Sequence, residues 1–195
     1  YGSNLPEASW WADAMSCPDV ITRDMVNVNA TYIEESAASA VRNMGLGFNL
    51  GNTFDACGEW IGDHKDPSAY ETAWGQPLVT ASQMAFLKSG GFNSVRIPVS
   101  WNQHIDAEGN VDVAWMDRIE EVVKYALDNG LYVILNVHHD TGSGTETMHW
   151  LKADADNYAR YSSRYKTLWR QIATRFSKYS QRLLFEGYNE MLDAG

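Results

Sequence analysis

The chain has 195 residues, room for one substantial domain rather than two, and 45% of them are hydrophobic, enough for a packed core. Twenty-five acidic residues against fifteen basic give a net charge of −10. That balance excludes a general binder of nucleic-acid backbones, which needs clustered Lys and Arg to release counterions, and it disfavours adhesion to anionic membranes. Unbroken apolar runs reach only about five residues, as at Leu131 to Leu135, so no membrane-spanning helix is expected.

Residues 1–32 carry Gly2, Pro6, Pro18 and scattered Trp without a clean period. They are expected to form an irregular N-terminal extension ahead of a domain over 33–195. The chain opens at Tyr1 with neither Met nor a leader pattern, as expected of a mature or excised product. Asn29-Ala30-Thr31 matches a glycosylation sequon, which has meaning only on a eukaryotic secretory route. Cys17 and Cys57 would enclose a loop of about 40 residues if bridged, and the sequence leaves bridge and free thiols equally open.

From Glu34 a helical stretch runs to Met44 and stops at Gly45. The segment 46–50 then reads as a strand. Thr80 is a predicted N-cap, and the helix through Met84, Phe86 and Leu87 ends at Gly90-Gly91. The segment 94–99 is a second strand. Asp112 is predicted to cap a longer helix with Met116, Ile119, Val122, Val123, Ala126 and Leu127 at helical spacing, closed by Gly130. Residues 131–137 form the clearest strand. A loop with Gly142 and Gly144 leads to a helix bearing Tyr161, Tyr165, Leu168, Trp169, Ile172 and Phe176, and 183–188 is a fourth strand. Its seven basic residues from Arg160 to Arg182 are read as a solvated helix face. Strict alternation of strand and helix predicts an α/β fold with right-handed crossovers and a parallel sheet. The near-continuous apolar strands agree, because both faces of such a sheet are covered.

Polar groups stand at the ends of these strands: Asn49 and Asn52, then Arg96 with Trp101, then His138-His139-Asp140, then Asn189-Glu190. All C-terminal ends of a parallel sheet point to one side, where ligands of α/β barrels bind. The four segments, with Gly47-Phe48-Asn49-Leu50-Gly51-Asn52-Thr53, Gly91 to Val99, Val133 to Asp140 and Leu184 to Glu190 in order, resemble the first four strands of the glycoside hydrolase family 5 cellulases. The tract Trp74-Gly75-Gln76-Pro77 resembles the loop after the first of them, and the likeness covers roughly residues 40–191.

The resemblance implies a TIM (β/α)8 barrel and retaining, endo-acting hydrolysis of β-1,4-linked glucans. It makes Glu190 the general acid/base, Asn189 the partner of the sugar 2-hydroxyl, and Arg96 the support of a catalytic carboxylate from strand seven. His138 would line the subsite of cleavage and His139 the next sugar site, with Asn52 and Trp60 as further sugar contacts. Such hydrolysis needs an acid to protonate the leaving oxygen and a second carboxylate about 5 to 5.5 Å away, and it needs no cofactor. Glu186 does not fit as that second group. It shares the strand and parity of Glu190, but four residues of strand separate the two by about 13 Å. A charge inside the barrel, paired with Arg96, is the better expectation. Asp140 and Asp193 lie in loops, and nothing in the family pattern makes either a nucleophile.

Strand starts near 46, 94, 131 and 183 give units averaging about 46 residues, whereas a complete barrel takes about 250 or more. The chain is therefore expected to be the N-terminal half-barrel, with the acid/base and without the strand-seven nucleophile, and weakly active or inactive by itself. An apolar inner face and two open edges predict self-association into a homodimer, or pairing with the missing C-terminal half. Polymeric substrate predicts secretion.

Other readings compete. A metal hydrolase would use His138, His139, Asp140 and His149, but the spacing is not that of a helical zinc motif, and adjacent His on a strand point to opposite faces. A non-catalytic sugar-binding or assembly module would use the aromatics. Of these, Trp60, Trp74, Trp101 and Trp150 follow strands and are divided between platform and packing, while Tyr161, Tyr165, Trp169 and Phe176 are expected in the core. A nucleotide-binding sheet lacks the Gly-rich fingerprint after strand one.

Overall fold

The computed structural model describes residues 35–62, 66–143 and 148–192. The expected extension over 1–32, with Cys17 and the Asn29 sequon, lies outside the described residues, as do Glu34, Gly144 and Asp193. The elements run α1 (Ala37–Met44), β1 (Gly47–Asn49), a 3-10 turn (Glu59–Ile61), α2 (Ser68–Glu71), α3 (Ala81–Ser89), β2 (Ser94–Ile97), α4 (Val113–Asp128), β3 (Tyr132–Asn136), α5 (Ala155–Phe176) and β4 (Leu183–Glu186).

The helices begin where a side chain satisfies the free N–H groups of the first turn. The Ser36 hydroxyl accepts from the Ser39 N–H at the start of α1. Thr80 and Gln83 form a reciprocal capping box on α3. Asp112 accepts from the Ala114 and Trp115 N–H groups, and Asp154 from that of Asn157. Sequence reading missed α2, because four residues are too few to show a period; its Tyr70 and Glu71 are nonetheless buried. Glu71 is held by Arg118 at 2.8 Å and accepts from the Val79 N–H at 2.6 Å, which pins the approach to α3.

All four strands are parallel, in the order β1-β2-β3-β4. Sequential order without a reversal is the arrangement of consecutive barrel strands rather than of a doubly wound sheet. The register places Asn49 beside Arg96, Arg96 beside Ile134, and Asn136 beside Glu186. One face of the sheet, with Val95, Ile97, Val133 and Leu135, packs into a core with Trp115, Ile119, Val122 and Ile172 from the helices. The other face corrects an expectation. Instead of being apolar, it carries Asn49, Arg96, Asn136 and Glu186, tied to one another by side-chain hydrogen bonds, with Ile134 and Leu184 between them.

All four strands are shorter than expected, β2 and β4 by two residues at their C-terminal ends. Pro98 has no N–H to donate, so the ladder of β2 ends at Ile97. Single bonds carry the pairing further, from the His138 N–H to the Val99 oxygen at 2.8 Å and from the Asn189 N–H to the Val137 oxygen at 3.0 Å. These bonds hold the post-strand segments, where the chemistry sits, close to the rigid sheet. The basic residues of α5 and of the turn after it are partly spent on α4: Arg175 pairs with Asp117 and Glu120, and Lys178, beyond the helix end, with Glu120 at 2.6 Å.

Candidate active site

Arg96 organises the inner face. Its Nε donates to Glu186 Oε2 at 2.8 Å and its Nη2 to Glu186 Oε1 at 2.7 Å, a bidentate pair. Nη2 also donates to Asn189 Oδ1 at 3.0 Å, and Nη1 to Asn49 Oδ1 at 3.1 Å. A guanidinium has five N–H donors. One Nη1 hydrogen therefore stays without a partner among the described residues. The Glu186 contact is the largest cause that raises the Arg96 pKa, and the same contact lowers that of Glu186. Both groups are charged at neutral pH. Glu186, with both oxygens accepting from Arg96, is a structural counter-ion, the pairing expected of it.

The end of β3 brings the imidazoles in. Asn136, fully buried, accepts from the Val99 N–H at 3.0 Å. Its Nδ2 lies 3.0 Å from His138 Nδ1 and 3.3 Å from Glu186 Oε1. The His138 and His139 rings meet edge to face, with centroids 4.5 Å apart. The expectation that the two point to opposite faces fails because β3 ends at Asn136, so strand alternation no longer applies to them. Burial is the largest cause depressing both, and it brings His138 down to about 4. His139 rests 5.6 Å from the Trp74 ring and 3.9 Å from Asp55, a buried carboxylate that follows β1.

Asp55, His138 and His139 bring donor atoms within 4.8 Å of one another, the group among the described residues nearest to a metal set. The set fits a metal poorly. Neighbouring ligands of tetrahedral zinc are about 3.4 Å apart given bonds of about 2.0–2.1 Å. His139 and Asp55 are 3.9 Å apart, and His138 Nδ1 is already engaged by Asn136. Asp140, from the weighed metal set, is fully buried instead. It accepts from the Trp101 N–H at 2.8 Å and the Trp150 Nε1–H at 2.7 Å. Desolvation pushes its pKa up to about 6.

Asn189 is held at three points. Its N–H donates to Val137, its carbonyl accepts from the Thr141 hydroxyl, and its side-chain oxygen accepts from Arg96. Glu190 follows, exposed, with a left-handed φ of 38°, a conformation that costs a non-glycine residue of order 1 kcal/mol and clusters at functional sites. Its charge is felt by Arg96 and by His139. The four strand ends thus converge on one polar cleft.

The cellulase model of glycosyl hydrolase family 5 matches residues 54–195. The chain belongs to glycoside hydrolase family 5. A family 5 enzyme from Prevotella bryantii, solved in complex with a xyloglucan tetradecasaccharide, is 59% identical with a TM-score of 0.79, over 84% of this chain and 46% of that one. A broad-specificity endoglucanase from Ruminococcus champanellensis with bound cellotriose is 38% identical with a TM-score of 0.77, over 85% of this chain and 46% of that one. Endoglucanase A of Clostridium longisporum is 38% identical over 173 residues, 87% of this chain and 31% of that protein. For endoglucanase B of Clostridium cellulovorans the figures are 39% over 162 residues, 82% and 33%. The chain spans about a third of the length of these two curated relatives.

Within this family 5 fold, Arg96, Asn189, His138 and His139 are joined through Glu186, Asn136 and ring contact, and Glu190 follows Asn189 with no hydrogen bond to them among the described residues. Asn52 and Trp60 do not join their network through any hydrogen bond or ring contact among the described residues. Both are exposed on the loop after β1, Asn52 at φ 60° and Trp60 on the 3-10 turn. Trp101 and Trp150, weighed as sugar platforms, are buried, with their indole N–H groups spent on the Asn136 carbonyl and on Asp140. Sequence reading missed Asn136 and Asp55 as site residues. Asn136 carried a signal, a lone amide in an apolar strand two residues ahead of the imidazoles; Asp55 carried none.

Proposed function

We propose that this chain is the acid/base-bearing part of an endo-acting β-1,4-glucanase of retaining mechanism. Glu190 protonates the leaving sugar oxygen, and its Asn189 neighbour donates from Nδ2 to the sugar 2-hydroxyl, a contact that strengthens in the transition state. The observation that carries the reading is the anchoring of Asn189. With its oxygen held against Arg96, the amide turns its Nδ2–H donors away from the guanidinium, where a sugar hydroxyl can accept from them. The endoglucanase relatives support the reaction class.

Retention needs a second carboxylate about 5 to 5.5 Å from the first. Glu186 is committed to Arg96, and Asp140 is buried beneath Trp101 and Trp150. By the family resemblance the second group comes from strand seven, beyond β4, where the remaining Arg96 hydrogen supports it. These 195 residues alone bind glucan and turn it over weakly or not at all. Purified chain with a soluble β-glucan, with reducing ends counted and cellotetraose binding followed by Trp fluorescence, tests this. Binding without turnover is expected. Brisk turnover lost in Glu190→Gln would refute the need for a second half, and absence of binding would refute the sugar cleft.

Two features support self-association as a second property. Strands β1 and β4 have one open edge each among the described residues, and Phe48, Phe185 and Tyr188 beside them are exposed. Two copies meeting along these edges form a homodimer that approximates a closed barrel, competing with pairing to a C-terminal half. A mass of about 22 kDa in light scattering at high concentration would refute the dimer. Since the glucan is a polymer found outside cells, the protein acts as a secreted one; its recovery from culture medium rather than from cells is the check.

A further inference from the structure

We propose that Asn136 is a positioning residue that locks His138 in the tautomer carrying its proton on Nε2, so that His138 serves the cleft as a hydrogen-bond donor and takes no part in proton transfer. The orientation of the Asn136 amide follows from its two other partners. Its Oδ1 faces the Val99 N–H at 3.0 Å, a group that only donates. Its Nδ2 faces Glu186 Oε1 at 3.3 Å, a carboxylate kept ionised by Arg96, which only accepts. Turning the amide over would oppose like with like at both places. Nδ2 is therefore a donor toward His138 Nδ1 at 3.0 Å, and Nδ1 must offer its lone pair.

A neutral imidazole with Nδ1 accepting carries its proton on Nε2. Adding a second proton would set an N–H of the ring against the N–H of a fully buried amide. The groups facing the ring are divided: Asp55 and Glu186 favour a proton, whereas His139 and Arg96 oppose one, and burial outweighs them in keeping the ring neutral. His138 is thus a donor throughout the range in which the cleft works, and Glu190 is left as the proton source. The tautomer stands on geometry alone; that the Nε2–H serves a sugar rests on the glucanase reading.

Long-range proton–nitrogen correlation NMR on the full chain, with the His138 ring identified by its loss in His138→Gln, tests the inference. A protonated Nε2, an unprotonated Nδ1, and titration only on approach to pH about 4 are expected. In Asn136→Asp the new carboxylate accepts, so the proton moves to Nδ1 and the midpoint rises by about one pH unit or more. A wild-type ring protonated on Nδ1, or titrating near its ordinary 6.5, overturns the proposal. So does an Asn136→Asp ring with the wild-type tautomer. Should that variant not fold, the wild-type spectrum decides. If cellotetraose quenches Trp fluorescence but leaves the Nε2 proton unmoved, the donor role is overturned. If cellotetraose does not bind, the glucan reading fails while the tautomer is still judged by the spectrum.

Discussion

Replacing Glu186 by Gln tests whether the inner face of the sheet is held by charge. The carboxylate accepts two bonds from Arg96, at 2.8 and 2.7 Å, and one from Asn136 at 3.3 Å. Gln keeps one oxygen and turns an NH2 toward at least one of these donors. Each bond to a charged group contributes about 1.5–3 kcal/mol when buried. The two side chains are 25% and 31% exposed, so solvent screening cuts this, and a net loss of about 2 kcal/mol is expected at pH 7. For a domain of this size that is about 4–8 °C in Tm. The loss depends on pH with a definite sign. Arg96 lowers the folded-state pKa of Glu186 below its ordinary 4.5, so the stabilisation is present above 4.5 and disappears as pH falls through the folded value. Urea unfolding of wild type and Glu186→Gln, followed by Trp fluorescence at neutral and acid pH, measures the difference. A gap below about 0.5 kcal/mol at pH 7, or one undiminished well below 4.5, would refute the reasoning.

Asp140 has the opposite sign. Its folded pKa, raised from 3.8 to about 6, makes stability fall as pH rises between those values, by about 3 kcal/mol, and Asp140→Asn removes that slope in the same unfolding assay. Trp60→Ala, at a 70% exposed site, leaves stability within about 0.5 kcal/mol and weakens cellotetraose binding several-fold in fluorescence titration. Trp101→Ala, at a fully buried one, costs about 3–5 kcal/mol in urea unfolding. In a catalytically complete protein containing this chain, Glu190→Gln lowers kcat by about 10²–10⁴-fold with little change in glucan affinity.

The helix ends were legible because their causes are local. Thr80, Asp112 and the glycines at 90 and 130 act on backbone groups within one turn of themselves, and those helices start and stop where the residues say. The parallel sheet was legible from alternation, but the sequential strand order came with the family resemblance, since doubly wound sheets share the same alternation. Strand ends were less so: the expected strands continue through Val99 and Tyr188, but the ladders stop at Ile97, where Pro98 withholds its N–H, and at Glu186. The Trp residues in loops resisted reading. Trp60 and Trp101 both sit in loops after strands, yet one is exposed and the other buried, because only the neighbours in space settle which indole finds a partner for its N–H.

By itself, then, the sequence determined the acidic composition, the α/β character with its four parallel units, and the family. That information is carried by periodicity and short motifs, which depend on neighbours in the chain. The tertiary structure decided who meets whom. Arg96 finds Glu186 ninety residues away, Asn136 turns its amide so that His138 must accept, and Asp140 disappears beneath two Trp residues. Those relations depend on strand register and on which side chains water is excluded from, and neither is written in the spacing of residues along one strand.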